Sequence, residues 1–132
     1  MRRKRFPPTD PREWLGRARS NLMRAGKVIP EVYLEDLCFD AQQAAEKAIK
    51  AVFIHHRLRF PYIHDLARLL TLLQQGGVGI PKYVRKAAGL TRFAVESRYP
   101  GVSGPVTKRE HRRTVRIAQS VLQWAERKIG GR

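Results

Sequence analysis

The chain has 132 residues and a formal net charge of +16, from 27 Lys and Arg against 11 Asp and Glu. That length suits one domain with a core of its own, and the single cysteine, Cys38, excludes an internal disulfide framework and a cysteine-based metal cluster. No apolar region follows the basic start as in a signal peptide, and no apolar run reaches membrane-spanning length. We therefore expect a soluble, cytoplasmic protein with a flexible basic arm over residues 1–9 and a single domain over residues 10–132.

The positive charge lies at the two ends of the sequence. Residues 1–27 carry nine basic and two acidic side chains, residues 28–81 five and six, and residues 82–132 thirteen and three. Ends with net charges of +7 and +10 attract polyanions such as RNA, DNA or nucleotide phosphates, and they can also steer an acidic protein. An arginine-rich surface that only solubilises the protein is the alternative explanation, so charge alone does not identify the partner.

The first helix has a clear start signal. Asp10 is the expected N-cap, Pro11 takes the first helical position, and Glu13 is expected to reach back to the cap. Apolar residues then recur at helical spacing, and this helix is predicted to end near residue 27.

The second helix is the longest predicted element, and it begins at residues 31–33. Small residues beside its apolar stripe, Ala44 and Ala51, allow another helix to approach closely. Cys38 belongs to the stripe, so a buried thiol is expected rather than a nucleophile. The stripe consists of Leu34, Leu37, Cys38, Ala41, Ala45, Ala48, Ile49, Val52 and His56.

Three further helices are predicted after a link that Pro61 keeps from being helical. Asp65 caps a short third helix, and Pro81 opens a fourth that ends at the Arg-Tyr-Pro-Gly run of residues 98–101. A capping box over residues 107–110 starts the last helix. No segment alternates with the period of a strand. The sequence therefore predicts an all-α, up-and-down antiparallel bundle of about five helices.

Three short motifs occur in one order along the chain. They are Ala-Gln-Gln-Ala-Ala-Glu-Lys-Ala-Ile-Lys at residues 41–50, His-Asp-Leu at residues 64–66, and Leu-Thr at residues 90–91 leading to Arg-Tyr-Pro-Gly at residues 98–101. Together they resemble the HEPN domain family (higher eukaryotes and prokaryotes nucleotide-binding), over roughly residues 12–129. The resemblance implies a helical bundle that commonly forms homodimers. It also implies a minimal nucleotidyltransferase as partner, often in a toxin–antitoxin pair.

The resemblance also implies a catalytic motif to look for. Many HEPN members are metal-independent RNases that use an Arg followed, after four to six residues, by a His, whereas others bind nucleotides or act as interacting subunits. Arg57 and Arg59 precede His64 with six and four residues between, so His64 would act as general acid or base and an Arg would stabilise phosphorane charge. In catalytic members the motif lies at or after the fourth helix, where this chain has Arg98 without a His within six residues. The alternative is that His64 belongs to the cap of the third helix.

Arg98 and Tyr99 are the preferred candidates for nucleotide or RNA binding. An Arg at a helix end, followed by an aromatic ring and a rigid turn, suits phosphate pairing and base stacking. Equally, Arg98 could clamp an acidic residue of the second helix such as Asp40 or Glu46. Lys47 and Lys50 would extend the basic surface, although Glu46 and Lys50 also have the spacing of an ordinary ion pair on a solvated or inter-subunit face.

The sequence predicts no metal site and no cofactor. His55 and His56 are adjacent, so their side chains point about 100° apart on a helix, and no third ligand stands at a useful spacing. The Gly-Gly-Val-Gly run at residues 76–79 follows a helix rather than a strand and lacks the Walker lysine, which argues against a phosphate-binding loop.

Taken together, the sequence predicts a nucleotide- or RNA-binding interaction module that pairs with a nucleotidyltransferase-type protein, forms a homodimer and does not associate with membranes. Binding is favoured over catalysis. A dimeric, metal-independent endoribonuclease toxin is one alternative. The other is a nonspecific nucleic-acid-binding protein driven by its two basic ends.

Overall fold

The computed structural model describes residues 3–95, 100, 101 and 104–130, and every regular element among them is helical. The predicted all-α bundle is confirmed, and no described helix is both long and apolar enough to span a membrane. The elements are α1 Pro11–Ala25, α2 Leu34–His55, α3 Leu66–Gln75, α4 Lys82–Arg85, a 3-10 helix Lys86–Leu90, α5 Arg92–Val95 and α6 Lys108–Gly130.

Three helices start at the caps that the sequence predicts. Asp10 and Asp65 each accept a hydrogen bond from a backbone N–H in the first turn of α1 and α3, at 2.9 and 3.2 Å. Thr107 and Glu110 exchange hydrogen bonds of 3.1 and 3.2 Å at the start of α6, which is a complete capping box. The expectation that Glu13 reaches back to its cap is wrong, because its carboxylate accepts from a backbone N–H of the N-terminal arm.

Helices α2 and α3 end in the same backbone motif. Arg57 follows α2 with φ 56° and Gly77 follows α3 with φ 98°. In each case the next N–H donates to the carbonyl five residues earlier, at 2.9 and 3.0 Å, which defines a Schellman ending. Glycine adopts this backbone freely, whereas an arginine there costs about 1 kcal/mol.

The two helix ends also touch one another. Gly76, the last residue before Gly77, has an ordinary negative φ of −82°. A Cβ built on Gly76 would lie 2.6 Å from Cδ1 of Leu58, closer than real Cβ contacts allow. A larger residue at position 76 would therefore displace the side chain of half-buried Leu58, whereas its backbone conformation suits any residue.

The predicted fourth helix is broken into α4, the 3-10 helix and α5. Pro81 precedes the segment as expected. The three-residue turn of the 3-10 helix places Ala87 and Leu90 on one side, and both are buried in the core. Thr91 lies between the 3-10 helix and α5 and connects this segment to α3, because its hydroxyl accepts a hydrogen bond from the backbone N–H of Leu66 at 3.1 Å. The predicted end of this helix involves residues 98 and 99, which lie outside the described residues.

Helix α2 lies at the centre of the core and packs on α1 and α6. The predicted stripe is buried apart from half-buried Leu34 and exposed His56. Ala44 and Ala51 are also buried, as expected where other helices approach closely. Cys38 is fully buried, and burial raises the pKa of its thiol to about 11, which agrees with a packing role.

Candidate functional site

The middle of α2 buries polar side chains that the sequence places at the surface. Glu46 and Lys50 are only 4% and 6% exposed, and Gln42 is fully buried on the same helix face. Nζ of Lys50 lies 2.8 Å from Oε2 of Glu46. The predicted ion pair is confirmed, but its expected solvated position is wrong, because the pair lies inside the protein, where an uncompensated charge is costly.

Glu46 accepts hydrogen bonds from three directions. Oε2 accepts from Lys50 at 2.8 Å, while Oε1 accepts from Nε2 of Gln42 and lies within hydrogen-bond distance of Nδ1 of His64, both at 2.9 Å. Burial alone would raise the pKa of Glu46, but the hydrogen bonds from Lys50, Gln42 and His64 outweigh it and hold the pKa below its ordinary value. Glu46 is therefore a compensated carboxylate. We call Gln42, Glu46, Lys50 and His64 the Glu46 cluster.

His64 forms the outer edge of the Glu46 cluster, with 60% of its side chain exposed. Its Nδ1 is held by Glu46, and Nε2 has no hydrogen-bond partner among the described residues. A carboxylate that fixes one ring nitrogen and leaves the other open is the arrangement of a general acid or base. The cap of α3 is made by Asp65. Arg57 and Arg59 are exposed on the same link, and neither forms an ion pair with a described carboxylate.

Phe60 connects the Glu46 cluster to α1. Nζ of Lys50 lies 5.1 Å from the centroid of the Phe60 ring, a cation–π distance. The Phe60 ring packs edge-on against Trp14 at 5.4 Å and Phe53 at 5.8 Å. Lys50, predicted as a binding residue, is thus enclosed by Glu46 and Phe60.

Lys47, the other predicted lysine, faces a groove between the N-terminal arm and α1. It is half-buried, and its Nζ donates to Oδ1 of Asn21 at 2.8 Å. Burial lowers the pKa of Lys47, and the positive charge of Arg17 lowers it further. The groove has a volume of about 400 Å³. It is lined by Arg5, Phe6, Pro8, Glu13, Trp14, Arg17 and Lys47.

Glu13 is the acidic residue of this groove, and its charge is already compensated. Arg5 and Arg17 both pair with Oε2, at 3.3 and 2.8 Å. The hydrogen bond from the backbone N–H of Phe6 and that from Arg17 lower the pKa of Glu13. The positive charge of Lys47 therefore has no carboxylate partner among the groove residues.

The N-terminal arm forms one wall of the groove. The indole N–H of Trp14 donates to the carbonyl of Pro8 at 2.7 Å, and the guanidinium of Arg12 lies 4.1 Å from the centroid of the Phe6 ring. These contacts attach the described part of the arm to α1. The flexibility expected of residues 1–9 stays a prediction.

Arg98 and Tyr99, the preferred binding candidates, lie outside the described residues. Asp40, an acidic residue of α2, already has two partners on α1. It accepts a hydrogen bond from Nδ2 of Asn21 at 3.0 Å and forms an ion pair with Arg24. Across residues 3–95 and 104–130, no group of three His, Cys, Asp or Glu is arranged to hold a metal ion.

Known proteins share this fold. The HEPN domain model matches residues 11–128. The crystal structure of TT1696 from Thermus thermophilus is similar, with 32% identity, a TM-score of 0.78, and coverage of 89% of this chain and 97% of that one. The structure of ST0689, described as an archaeal HEPN homologue, has 26% identity, a TM-score of 0.74, and coverage of 91% and 98%. A search of curated proteins gave no match. The chain belongs to the HEPN domain family.

Proposed function

We propose that this HEPN domain is a nucleotide-binding interaction module whose ligand occupies the groove beside Lys47. The observation that carries the proposal is a half-buried cation that makes no ion-pair contact with a described carboxylate. Lys47 is half-buried, its hydrogen bond goes to the neutral amide of Asn21, and burial lowers its pKa. A phosphate in the groove would supply the missing negative charge.

The other groove residues support a nucleotide rather than a simple anion. Arg5 and Arg17 together exceed the charge of Glu13 by one, which adds a second net positive charge to the groove. Trp14 offers a half-buried aromatic ring on which a base can stack. A volume of about 400 Å³ falls within the range of small-molecule sites. The nucleotide is either free or the terminal unit of an RNA, because both present the same phosphate and base.

The proposed binding set also contains the other binding residues that the sequence predicts, namely Arg98, Tyr99 and Lys50. Arg98 and Tyr99 stay in the proposed set, as a phosphate-pairing cation and a stacking ring, on the basis of their sequence alone. Lys50 holds Glu46 in place and contributes through the Glu46 cluster, since Glu46 and Phe60 enclose its ammonium group.

Tryptophan fluorescence tests this proposal directly. Of the two tryptophans, Trp14 lines the groove and Trp124 is buried, so ATP should quench Trp14. Lys47→Met should raise the Kd for ATP about tenfold, the effect of losing one charge-assisted hydrogen bond. Lys27→Met is the matched control, because Lys27 is an exposed lysine that does not line the groove. Absence of quenching, or equal losses in the two variants, would refute the groove as the nucleotide site.

A second function is favoured by one specific observation, the Glu46–His64 pair with Nε2 of His64 open. In that case the protein is a dimeric, metal-independent endoribonuclease with His64 as acid or base and Arg57 or Arg59 as the phosphate-stabilising cation. Cleavage of a single-stranded RNA in the presence of EDTA, abolished in His64→Ala, would establish this activity. Cleavage that survives His64→Ala would exclude His64 as the catalytic group.

We also propose a homodimer and a nucleotidyltransferase-type partner in a toxin–antitoxin pair, on the basis of the family. The end of α1 and the turn that follows it support an interaction surface, because Met23 on α1 and Val28, Ile29 and Tyr33 in the turn are all exposed. Copurification with the product of a neighbouring gene, followed by light scattering, tests both points. A monomer that retains no neighbour-encoded protein would contradict them.

A further inference from the structure

A second cationic surface lies where α4 and the 3-10 helix pack on α6. Two adjoining depressions of about 180 and 200 Å³ follow this contact and share Lys86, Arg113 and Ile117. We define the basic seam as five residues that line these depressions together with Arg127, which donates a hydrogen bond to one of them, Tyr83. The five are Tyr83, Lys86, Arg113, Arg116 and Ser120.

The cations of the basic seam are not compensated within the described part of the chain. No described carboxylate lies within ion-pair distance of Lys86, Arg113 or Arg116. Glu110 lines one depression, but it is paired with Arg92 at 2.8 Å. The seam is therefore a concentration of unpaired positive charge rather than a network of surface ion pairs.

The spacing of these cations suits an extended polyanion. Arg113 and Arg127 are fourteen residues apart on α6, which is about 21 Å along the helix. A stacked nucleic acid strand rises about 3.4 Å per nucleotide, so this length matches roughly six nucleotides. Each depression has about half the volume of the groove at Lys47, which suits contact with a passing backbone better than an enclosed small molecule.

Tyr83 gives the seam an aromatic ring beside its charges. The side chain is 40% exposed, and its hydroxyl accepts a hydrogen bond from Arg127 at 2.8 Å, which fixes the ring. An exposed ring next to phosphate-binding cations can stack an unpaired base, which only a single strand offers.

We propose that the basic seam binds the backbone of single-stranded RNA over about six nucleotides, with Tyr83 stacking on one base. This site is separate from the groove beside Lys47 and does not depend on the function proposed for it. The seam would hold a strand, whereas the groove would hold a single nucleotide.

A solubilising arginine-rich surface is the competing explanation, and two variants of equal charge separate it from a local site. The seam variant carries Lys86→Gln, Arg113→Gln and Arg116→Gln. The control carries the equally exposed changes Lys27→Gln, Arg68→Gln and Lys128→Gln. Each variant removes three positive charges from the total of +16.

Fluorescence anisotropy with a labelled oligouridylate of about twelve nucleotides measures binding between roughly 0.05 and 0.2 M salt. Four phosphate contacts predict a log–log salt slope of about −3 for the unmodified protein, falling to about −0.7 in the seam variant. At 0.1 M salt the seam variant should lose affinity on the order of 100-fold, while the control changes by no more than a few-fold.

Equal losses in the seam variant and the control would overturn the proposal. Absence of binding by the unmodified protein at the lowest salt would overturn it as well.

Tyr83→Ala should weaken binding of the single strand roughly tenfold, whereas Tyr83→Phe, which keeps the ring, should not. Equal binding by Tyr83→Ala and the unmodified protein would overturn the stacking contact. Quenching of Trp14 by ATP should persist in the seam variant, so failure at either site is distinguishable from failure at the other.

Discussion

Lys47 and Lys50 lie three residues apart on α2, yet their surroundings are opposite. Lys50 is buried, donates to Glu46 and has its ammonium group over Phe60. Lys47 is half-buried, and its described hydrogen bond goes to the neutral amide of Asn21. The first charge is compensated by Glu46, whereas the second makes no ion-pair contact with a described carboxylate, which is why we propose it as the contact for an anionic ligand. Neighbouring elements, rather than the residue type, assign these roles.

The largest expected effect comes from removing each of the two lysines in turn. Lys50→Met leaves Glu46 buried without its cation and should lower the free energy of unfolding by about 3–5 kcal/mol. Lys47→Met removes one hydrogen bond to Asn21 and should cost about 1 kcal/mol or less. Urea unfolding at neutral pH, followed by circular dichroism, measures both. Similar losses in the two variants would mean that the two environments do not differ as described.

A second test uses pH to examine the buried Glu46–Lys50 pair alone. The pKa of Glu46 in the folded protein lies below its ordinary value of 4.5, so the unfolded chain takes up the proton first. Its contribution to stability is therefore present above pH 4.5 and is lost as the pH falls through the pKa of the folded state.

Glu46→Gln provides the control for this acid dependence. The amide resembles a protonated carboxyl, so the difference in unfolding free energy between the unmodified protein and Glu46→Gln should shrink as the pH falls from about 6 towards about 3. A difference that stays constant over that range would show that the carboxylate of Glu46 does not receive the stabilisation described.

The smallest effect concerns the exposed edge of the Glu46 cluster. His64→Ala removes one of three hydrogen bonds to Glu46 at a half-solvated position and should cost about 1 kcal/mol. His55→Ala, an exposed histidine at the end of α2, should change stability by less than about 0.5 kcal/mol. Thermal unfolding of both variants checks this, and a folded His64→Ala protein makes the RNase test interpretable. A loss of several kcal/mol would instead make His64 a main support of the cluster.

Features that depend on neighbouring residues were predicted well from the sequence. The caps at Asp10 and Asp65 and the capping box of α6 involve side chains within one turn of the groups they bind. The central apolar stripe of α2 was equally clear, because helical periodicity alone determines which residues share a face. These signals were enough for the fold class, whereas the family resemblance depended on the three motifs at residues 41–50, 64–66 and 90–101.

Features that depend on contacts across the chain were missed. Burial of Glu46 requires Phe60 and His64, which the α2–α3 link brings back over the helix, and no local pattern predicts that return. The alanines gave no signal of this burial, because Ala44, Ala45, Ala48 and Ala51 lie within about 120° of one another, on the face of α2 away from Glu46. Arg57 at positive φ had no signal, since glycine or asparagine is the usual residue there.

The contact between Leu58 and Gly76 links sequence positions that would otherwise vary independently. A side chain at position 76 would force Leu58 to move, and Leu58 begins the link that carries Phe60 and His64. A change at position 76 would thus be transmitted to the surroundings of Glu46 without touching any member of the cluster. Among relatives, we expect residues 58 and 76 to covary in size, with a larger residue at one position accompanied by a smaller one at the other.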